Sequence, residues 1–314
     1  MATKKTNKAN VSSKKSPSKK TSTTKKRSTK KKTKKKINRR LSYSSLIIII
    51  IAVFIFFYLG RKDEPDIIEE VNKQDQSIEM TRLDGNELSF YYPTADLSNG
   101  GIVEHLAYSL DYNEDHEQAD WVFYELTRDE VEKKIAKRKD NFKPDPSATI
   151  SSALPTDYRK SGYDRGHLCP AADNRWSEEA MDQSFYMSNM SPQHPDLNRK
   201  IWSELEEQVR QWAVKNEKVY VATGPLLIDG FKSKIGESGV SVPNYFYKVV
   251  ADLTGDEIKG IGFIFSNGEN NGELKNYAFP IDMIEERTKI DFFYKLDEEI
   301  QKQIESEVVI EDWF

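Results

Sequence analysis

The chain contains a single cysteine, Cys169, which excludes an internal disulfide. Cysteine usage therefore gives no support for an oxidising compartment, although it allows one. The first forty residues also lack Asp and Glu, yet they contain fifteen Lys and three Arg. Such a composition cannot bury enough apolar surface to offset chain entropy, so we expect residues 1–40 to form a disordered, Lys-rich tail.

Charge is absent again from Leu46–Leu59, within an apolar stretch that we assign to residues 41–60. Twenty helical residues reach roughly 30 Å, the thickness of a bilayer core, so the stretch predicts one transmembrane helix. The missing A-x-A-like cleavage site disfavours a signal peptide, and the all-round apolar character disfavours a buried core helix. Because the basic residues precede the span, we expect a single-pass membrane protein with a cytoplasmic amino terminus and an extracytoplasmic domain, periplasmic if bacterial.

Acidic residues dominate the rest of the chain. Once the tail is set aside, 29 Lys and Arg stand against 51 Asp and Glu, a formal charge of −22. This balance disfavours binding of acidic partners such as nucleic acid, but salt screens charge beyond about 8 Å, so a local basic groove can work on an acidic body. Residues 61–101 are acidic and polar, and they predict a linker with one short strand at Leu88–Tyr92.

Strand-like and helix-like patterns mix along residues 102–314, which are enough for one core. They predict an α+β domain with a mixed central sheet. Helices are expected over Asp129–Lys139, after an N-cap at Ser177, from Leu197 to Lys215, over Ile281–Thr288 and over Leu296–Glu305. The third of these has an apolar stripe that should face the core: Leu197, Ile201, Leu205, Val209 and Trp212.

The run Asp164-Arg165-Gly166-His167 lies on a predicted strand, Tyr163–Leu168. Alternation places Arg165 and His167 on one face, with room for a close approach at Gly166 and with Asp164 as a structural residue on the other face. The ordinary pKa of histidine, near 6.5, makes a neutral imidazole a suitable general base. The alternative is a buried, hydrogen-bonded histidine. We interpret the remaining histidines as ordinary strand, turn and loop residues: His105, His116 and His194.

A second polar set lies on the helix from Leu197, where Asn198, Trp202 and Glu206 form one row. On a regular helix Asn198 and Glu206 are about 12 Å apart along the axis, too far for easy coordination of one ion. We therefore predict Asn198 as a direct ligand of Mg²⁺, with Mn²⁺ as the alternative, and Glu206 as the holder of a water on the ion. The alternative for Glu206 is a solvated surface charge.

Four blocks occur in order along the chain: YDRGHLCPAADNRW, FYMSNMSPQ, LNRKIWSELE and VYVATGP. In order and spacing they resemble the DNA/RNA non-specific endonucleases, from about Ile102 to the carboxyl end. The resemblance implies a ββα-metal (His-Me finger) nuclease domain, in which a histidine-bearing strand faces a helix with a metal-binding asparagine. The acidic balance, the apolar stretch and the basic tail lie outside the pattern of that family.

The resemblance also implies roles for individual residues. His167 matches the general base, Asn198 the direct Mg²⁺ ligand, and Glu206 the glutamate that orders water on the ion. Arg165 matches the motif arginine beside the site, and Asn189 matches an asparagine that supports it. An upstream arginine that stabilises the transition-state phosphate is matched by Arg138, for which the alternative is a basic helix end.

Together these residues predict a membrane-anchored, Mg²⁺-dependent, sugar-non-specific endonuclease that acts on DNA and RNA and leaves 5′-phosphates. Contacts to phosphate and sugar carry no direct base information, so we expect low sequence specificity. The alternative is a catalytically idle nucleic-acid-binding membrane tether. In either case the basic tail is a candidate for binding nucleic acid or anionic lipid. Candidate phosphate contacts in the folded domain are Arg159, Lys160, Arg175, Arg199 and Lys200.

Overall fold

The computed structural model describes residues 88–94, 99–147, 152–255 and 257–314, without the side chain of Asp229. The predicted tail, the predicted membrane span and most of the predicted linker therefore lie outside the described residues. Among the helices that the structure does describe, none combines the length and apolar character needed to cross a bilayer.

Strands dominate the fold, and they form two separate sheets. A seven-stranded sheet has the spatial order β1-β2-β3-β6-β7-β8-β9, and β4 pairs with β5 in a two-stranded ribbon. The strands are β1 Ile102–Glu104, β2 Ser109–Asn113, β3 Gln118–Thr127, β4 Asp164–His167, β5 Met190–Gln193, β6 Lys218–Ile235, β7 Val240–Asp252, β8 Lys259–Ser266 and β9 Ala278–Phe279.

All strand pairs within the described ranges are antiparallel. The α+β class is confirmed, but the predicted mixed sheet is wrong. Short turns cause the difference, because only four residues separate β2 from β3 and β6 from β7. Connections of that length fold a strand back on its predecessor, whereas parallel pairing needs a long crossover.

Helices cover both faces of the large sheet. They are α1 Arg128–Glu132, α2 Glu178–Gln183, α3 Trp202–Lys215, α4 Ile281–Thr288, α5 Glu298–Glu305 and α6 Ile310–Trp313. Since side chains alternate along a strand, Val122 and Leu126 of β3 face the core layer under α3, whereas Trp121 and Phe123 face the layer under α4 and α5. The predicted stripe on α3 and the turn before it is confirmed as buried in the first layer.

The amino-terminal elements differ from the sequence prediction. Leu88–Tyr91 is a 3₁₀ helix and not the predicted strand. Tyr91 is buried and stacks on Tyr220 with ring centroids 4.5 Å apart. Packing of aromatic rings against the sheet decides the local conformation here, over the β preference of the residues themselves. The folded unit thus includes residues upstream of Ile102.

The basic helix predicted over Asp129–Lys139 is real but short. Thr127 caps it in a reciprocal capping box with Glu130, and the helix ends at Glu132. Beyond that point the backbone amides of Ile135 and Ala136 both donate to the carbonyl of Arg175, at 2.9 Å. These bonds compete with the helix, and they bring the following basic residues beside the β4–β5 ribbon.

Candidate active site

The DRGH run forms β4 and pairs residue by residue with β5. The partners are Asp164 with Gln193, Gly166 with Ser191, and His167 with Met190. A Cβ added at Gly166 would lie only 2.2 Å from Oε1 of Gln193. The space that glycine leaves is therefore filled by a side chain of the neighbouring strand, which explains why the ribbon packs so closely.

His167 lies buried between two phenylalanines. Its ring centroid is 5.8 Å from that of Phe142 and 5.1 Å from that of Phe185, and the residue is 7% exposed. Nε2 is buried and has no hydrogen-bond partner in the part of the chain that the structure describes. Burial, and then the positive charge of Arg138, lower the pKa of His167 to about 3, with Asp140 opposing them. The imidazole is therefore neutral at physiological pH.

Buried polar atoms in folded proteins almost always have partners, so an unpaired ring nitrogen requires an explanation. A structural histidine would use both nitrogens in hydrogen bonds. His167 is buried, as the structural alternative requires, but it lacks the bond that would make it structural. The arrangement fits a base that is held in place by aromatic packing and has a lone pair to spare.

Two arginines flank this imidazole. The guanidinium of Arg165 lies 4.7 Å from the ring centroid of Phe142, and that of Arg138 lies 5.2 Å from the ring centroid of Phe185. Arg165 and His167 thus share one aromatic neighbour, which agrees with the predicted common face. Arg165 donates weakly to the carbonyl of Pro155 at 3.3 Å, and Arg138 pairs with Asp140 at 2.7 Å. The structure therefore brings a neutral base and two cations together.

Asn198 is fixed by the strand that carries the base. Its Nδ2 donates to Oδ2 of Asp164 at 3.0 Å, and Arg199 donates to both oxygens of the same carboxylate at 2.7 and 2.6 Å. Although burial acts in the other direction, these hydrogen bonds hold the pKa of Asp164 below its ordinary value. Asp164 is thus a carboxylate that orients the amide of Asn198, in the structural role expected of it.

The helix that carries Asn198 does not begin as a regular α-helix. Leu197–Ile201 forms a π-turn, and Lys200 has non-helical angles of φ −117° and ψ −105°. Trp202 is consequently fully buried, so it does not lie in one polar row with Asn198 and Glu206 as predicted. The axial separation expected for a regular helix does not apply either. Such turns are frequent at functional sites, because the extra residue re-aims nearby side chains.

Glu206, half-buried on α3, belongs to a charge network with the buried residues Lys248 and Asp173, which the sequence did not predict. Burial raises the pKa of Glu206 to about 7, Lys248 opposes the shift, and Asp173 adds to it. Lys248 lies fully buried, 4.9 Å from the ring centroid of Trp202, and its Nζ has no hydrogen-bond partner within the described ranges. Glu206 is therefore not an isolated surface charge. The sequence contains one indication that Lys248 is unusual, because it is a charged residue within a mostly apolar strand.

Asp173 and Arg210 complete that network. Nη1 of Arg210 donates to Oδ1 of Asp173 at 2.7 Å, and the hydroxyl of Tyr124 donates to Oδ2 at 3.1 Å. Arg210 follows Glu206 by one helical turn, and Asp173 lies in the same sequence block as His167. The spacing of Glu206 and Arg210 places both side chains on one face of α3, which the sequence could have indicated. The pairing of Arg210 with Asp173 depends on contacts between distant segments.

Asn189 supports the site from beneath. It is fully buried, its Oδ1 accepts from the amide of Cys169 at 2.8 Å, and its Nδ2 donates to the carbonyls of Cys169 and Ser184 at 2.9 Å. These bonds fix the chain that leaves β4 directly after His167. Asn189 thus fixes the backbone that follows His167 and, being fully buried, is not exposed at the surface.

Three of the five candidate phosphate contacts, Arg175, Arg199 and Lys200, differ in their surroundings. Arg199 is bound to Asp164, and Lys200 pairs with Asp196 at 2.6 Å. Arg175 is exposed and lines a groove of about 390 Å³ together with Arg210 and other side chains of α1 and α3. Arg175 is therefore presented at an open groove, whereas the other two are engaged by carboxylates.

Comparison with known proteins places this geometry in context. The chain is 31% identical over 269 residues to a nuclease of Nostoc sp., an alignment that covers 82% of this chain and 96% of the relative. It is 34% identical over 192 residues to human mitochondrial endonuclease G, covering 57% of this chain and 65% of the human protein. A solved structure titled as the EndoG/EndoGI complex aligns with a TM-score of 0.61 and 32% identity, covering 70% of this chain and 94% of that one.

These relatives contradict the predicted localisation. The human protein is named as a mitochondrial nuclease and not as a single-pass membrane protein. We therefore correct the prediction of a membrane-anchored protein with a cytoplasmic amino terminus and an extracytoplasmic catalytic domain. The physical reason lies in the length of the apolar run: within the uncharged stretch Leu41–Gly60, Ser42, Ser44 and Ser45 leave only Leu46–Leu59, fourteen residues, continuously apolar. A bilayer core needs about twenty apolar residues, and runs of 10 to 14 are more typical of buried or interfacial segments.

The family assignment rests on the match of the whole domain. A family model described as DNA/RNA non-specific endonuclease matches residues 86–299, which is more than half of the chain. The resemblance drawn from the four sequence blocks is thereby confirmed. The chain belongs to the DNA/RNA non-specific endonuclease family, and it is accordingly a nuclease, a hydrolase of nucleic acids.

Proposed function

We propose that this chain is a Mg²⁺-dependent endonuclease that hydrolyses phosphodiester bonds in both DNA and RNA and leaves 5′-phosphates. The observation that supports it best is the buried, neutral and unpaired imidazole of His167 between Arg138 and Arg165. Hydrolysis of a phosphodiester needs a base for water and positive charge for the phosphate. The ribbon β4–β5 with α3 would be the ββα-metal unit.

Asn198 and Glu206 are the residues proposed to hold the cation. The amide nitrogen of Asn198 is engaged by Asp164, while its Oδ1 has no hydrogen bond within the described residues. The amide oxygen of Asn198 and the carboxylate of Glu206 are oxygen ligands, which suit a hard ion such as Mg²⁺ that keeps several waters and needs few protein ligands. Mn²⁺ is the alternative. These side chains therefore fit the ion that the family pattern implies.

Each residue then has one task in the reaction. The imidazole of His167 accepts a proton from the attacking water, and a phosphate nearby would raise its pKa toward the working range. Arg138 and Arg165 stabilise the negative charge that develops on the phosphate. Glu206 orders water next to Asn198, and Lys248 favours its ionised form. The ion, when bound, supplies further positive charge at the scissile phosphate.

Substrate binding is proposed to use the groove beside α3. Arg175 is the strongest candidate for a phosphate contact, because it is exposed at that groove. Arg199 and Lys200 would have to leave Asp164 and Asp196 to reach a phosphate. The Lys200–Asp196 pair is exposed and therefore weak, so a phosphate can compete for Lys200, whereas Arg199 is held more firmly by two hydrogen bonds to Asp164. The family assignment disfavours the alternative of a catalytically idle protein that binds nucleic acid.

We expect the full chain to convert supercoiled plasmid to nicked and linear DNA in Mg²⁺, to degrade single-stranded RNA, and to lose both activities in EDTA. The reason is that the proposed ion supplies positive charge at the scissile phosphate, and EDTA removes that ion. Gel electrophoresis measures the conversion, and labelling of the ends by a polynucleotide kinase only after phosphatase treatment identifies 5′-phosphates. A mobility shift without cleavage would favour the idle binding protein.

Replacing Asn198 by alanine should raise the Mg²⁺ concentration needed for half-maximal cleavage by about 10- to 100-fold or more. Loss of even an indirect supporting residue costs this much in metal affinity, and a direct ligand should cost at least as much. The measurement is a Mg²⁺ titration of plasmid nicking. Ser203→Ala, an exposed change on the same helix, is the matched control. An unchanged titration in Asn198→Ala would remove Asn198 from the site.

A further inference from the structure

Three carboxylates meet where α4 and α5 adjoin, on the face of the sheet opposite α3. Asp282 and Glu285 of α4 and Glu305, the last residue of α5, each offer an oxygen within 4.8 Å of the other two. Asp282 and Glu285 are three residues apart, so they project from the same side of their helix. The cluster thus joins two helices at the carboxyl-terminal part of the fold.

Two glycines of β8 allow the helices to come this close. A Cβ at Gly260 would lie 2.1 Å from the carbonyl oxygen of Ile304, and one at Gly262 would lie 2.6 Å from Cγ1 of Ile284. Both isoleucines are fully buried, and each precedes or neighbours a carboxylate of the cluster. This close packing of β8 against both helices fixes the backbone from which the acidic side chains project.

Basic residues of the described ranges do not compensate the charge of the cluster. Within the described ranges, no Lys, Arg or His forms an ion pair with any of the three carboxylates. Glu305 is 5% exposed, and its Oε1 has no hydrogen-bond partner among the described residues. Glu285 uses Oε1 to accept from the amide of Phe292 at 2.8 Å. A buried carboxylate without a partner is costly, so this arrangement requires a positive charge or a proton.

The charges around Glu305 act in the same direction. Burial, followed by the charges of Glu285, Asp282 and Asp291, raises the pKa of Glu305 to about 9. Burial also raises the pKa of Glu285 to about 7, with Asp291 and Asp282 adding to the shift and the amide of Phe292 opposing it. The local field is therefore strongly negative, which favours a bound cation.

We propose that Asp282, Glu285 and Glu305 form a second divalent-cation site, suited to Ca²⁺, that fastens α5 to α4 and takes no part in cleavage. Ca²⁺ binds six to eight oxygens at about 2.3–2.6 Å, so oxygens on opposite sides of the ion lie about 4.8 Å apart. Three carboxylates supply three to six of these oxygens, and the exposed Asp282 leaves room for water. Mg²⁺ requires shorter distances and a stricter octahedron.

Thermal unfolding of the full chain in EDTA and in CaCl₂ tests this site. All proteins in this experiment also have the substitution Asn198→Ala, so that an ion bound at the proposed catalytic site does not contribute to the change in Tm. Ca²⁺ at about 100 times its Kd should raise Tm by about 5 to 10 °C, because an ion that binds the folded state stabilises it by mass action. Adding Glu305→Gln should remove the Ca²⁺-dependent rise, because it removes the carboxylate by which α5 would bind the ion.

Two further variants make the outcome decisive. Asp282→Asn, at the exposed rim, should also weaken the Ca²⁺-dependent rise, and it disturbs packing least. Glu286→Gln is the matched control, an equal change of charge on an exposed residue of α4, and it should retain the full rise. Absence of any rise with CaCl₂, a rise with MgCl₂ alone, or an equal rise in Glu305→Gln, Asp282→Asn and the control would each overturn the proposal. None of these results depends on nuclease activity.

Discussion

Replacing His167 by alanine should lower the rate of plasmid nicking by about 10² to 10⁴, the typical contribution of a general base. The expectation follows from the position of the ring, which is neutral, lacks a hydrogen bond at Nε2 and lies beside two guanidinium groups. Since its pKa is lowered to about 3, protonation of His167 in the free enzyme should not inactivate it between pH 5 and 8. The measurement is the initial rate of loss of supercoiled plasmid at saturating Mg²⁺.

A cavity is the alternative explanation for lost activity in that variant, because the ring fills the space between Phe142 and Phe185. Thermal unfolding must therefore show that the variant is folded at the assay temperature. His116→Ala is the matched control, since His116 contacts Ser241 away from the ribbon. Wild-type activity in a folded His167→Ala protein would exclude His167 as the base.

Replacing Asp173 by alanine should lower the free energy of unfolding by about 3 to 5 kcal/mol, the usual loss when one partner of a buried ion pair is removed. The side chain of Asp173 is 2% exposed, and that of Arg210 is 15% exposed. Without the carboxylate, the Arg210 guanidinium and the Tyr124 hydroxyl lose their buried acceptor. Urea denaturation followed by tryptophan fluorescence gives the free energy.

The same arginine provides the control for this experiment. Glu207 also pairs with Arg210, at 2.8 Å, but its side chain is 62% exposed. Water and salt screen that pair, so Glu207→Ala should cost much less than Asp173→Ala. Equal losses in the two variants would show that burial does not strengthen the inner pair, and the network around Glu206 would lose its structural basis.

The local features of the site were predictable because they depend on short-range rules. Alternation along β4 places Arg165 and His167 beside a common neighbour, Phe142, as the sequence predicts. The apolar stripe from Leu197 to Trp212 identifies the buried face of the helix from residue spacing alone. Both follow from the period of the side chains in a strand or a helix.

Other features depend on contacts between distant segments, which periodicity does not contain. The π-turn at Leu197–Ile201 breaks the helical row and buries Trp202, and no residue type signals it in advance. The short α1 ends where the amides of Ile135 and Ala136 donate hydrogen bonds to the carbonyl of Arg175 and not to carbonyls of the helix. The electrostatic interaction between Lys248 of β7 and Glu206 of α3 exists only in the folded domain. These contacts determine the protonation states and the side-chain orientations of the site residues.

The opposed positions of α3 and of the α4–α5 pair have a consequence for how this enzyme can change. The residues proposed for cleavage and the proposed cation site lie on opposite sides of the large sheet, so substitutions at the cation site can alter stability without touching the residues of the reaction. During adaptation to heat or to a new ionic environment, α4 and α5 could therefore change in sequence and alter the stability of the fold. The residues proposed for cleavage, on the α3 side of the sheet, would stay the same.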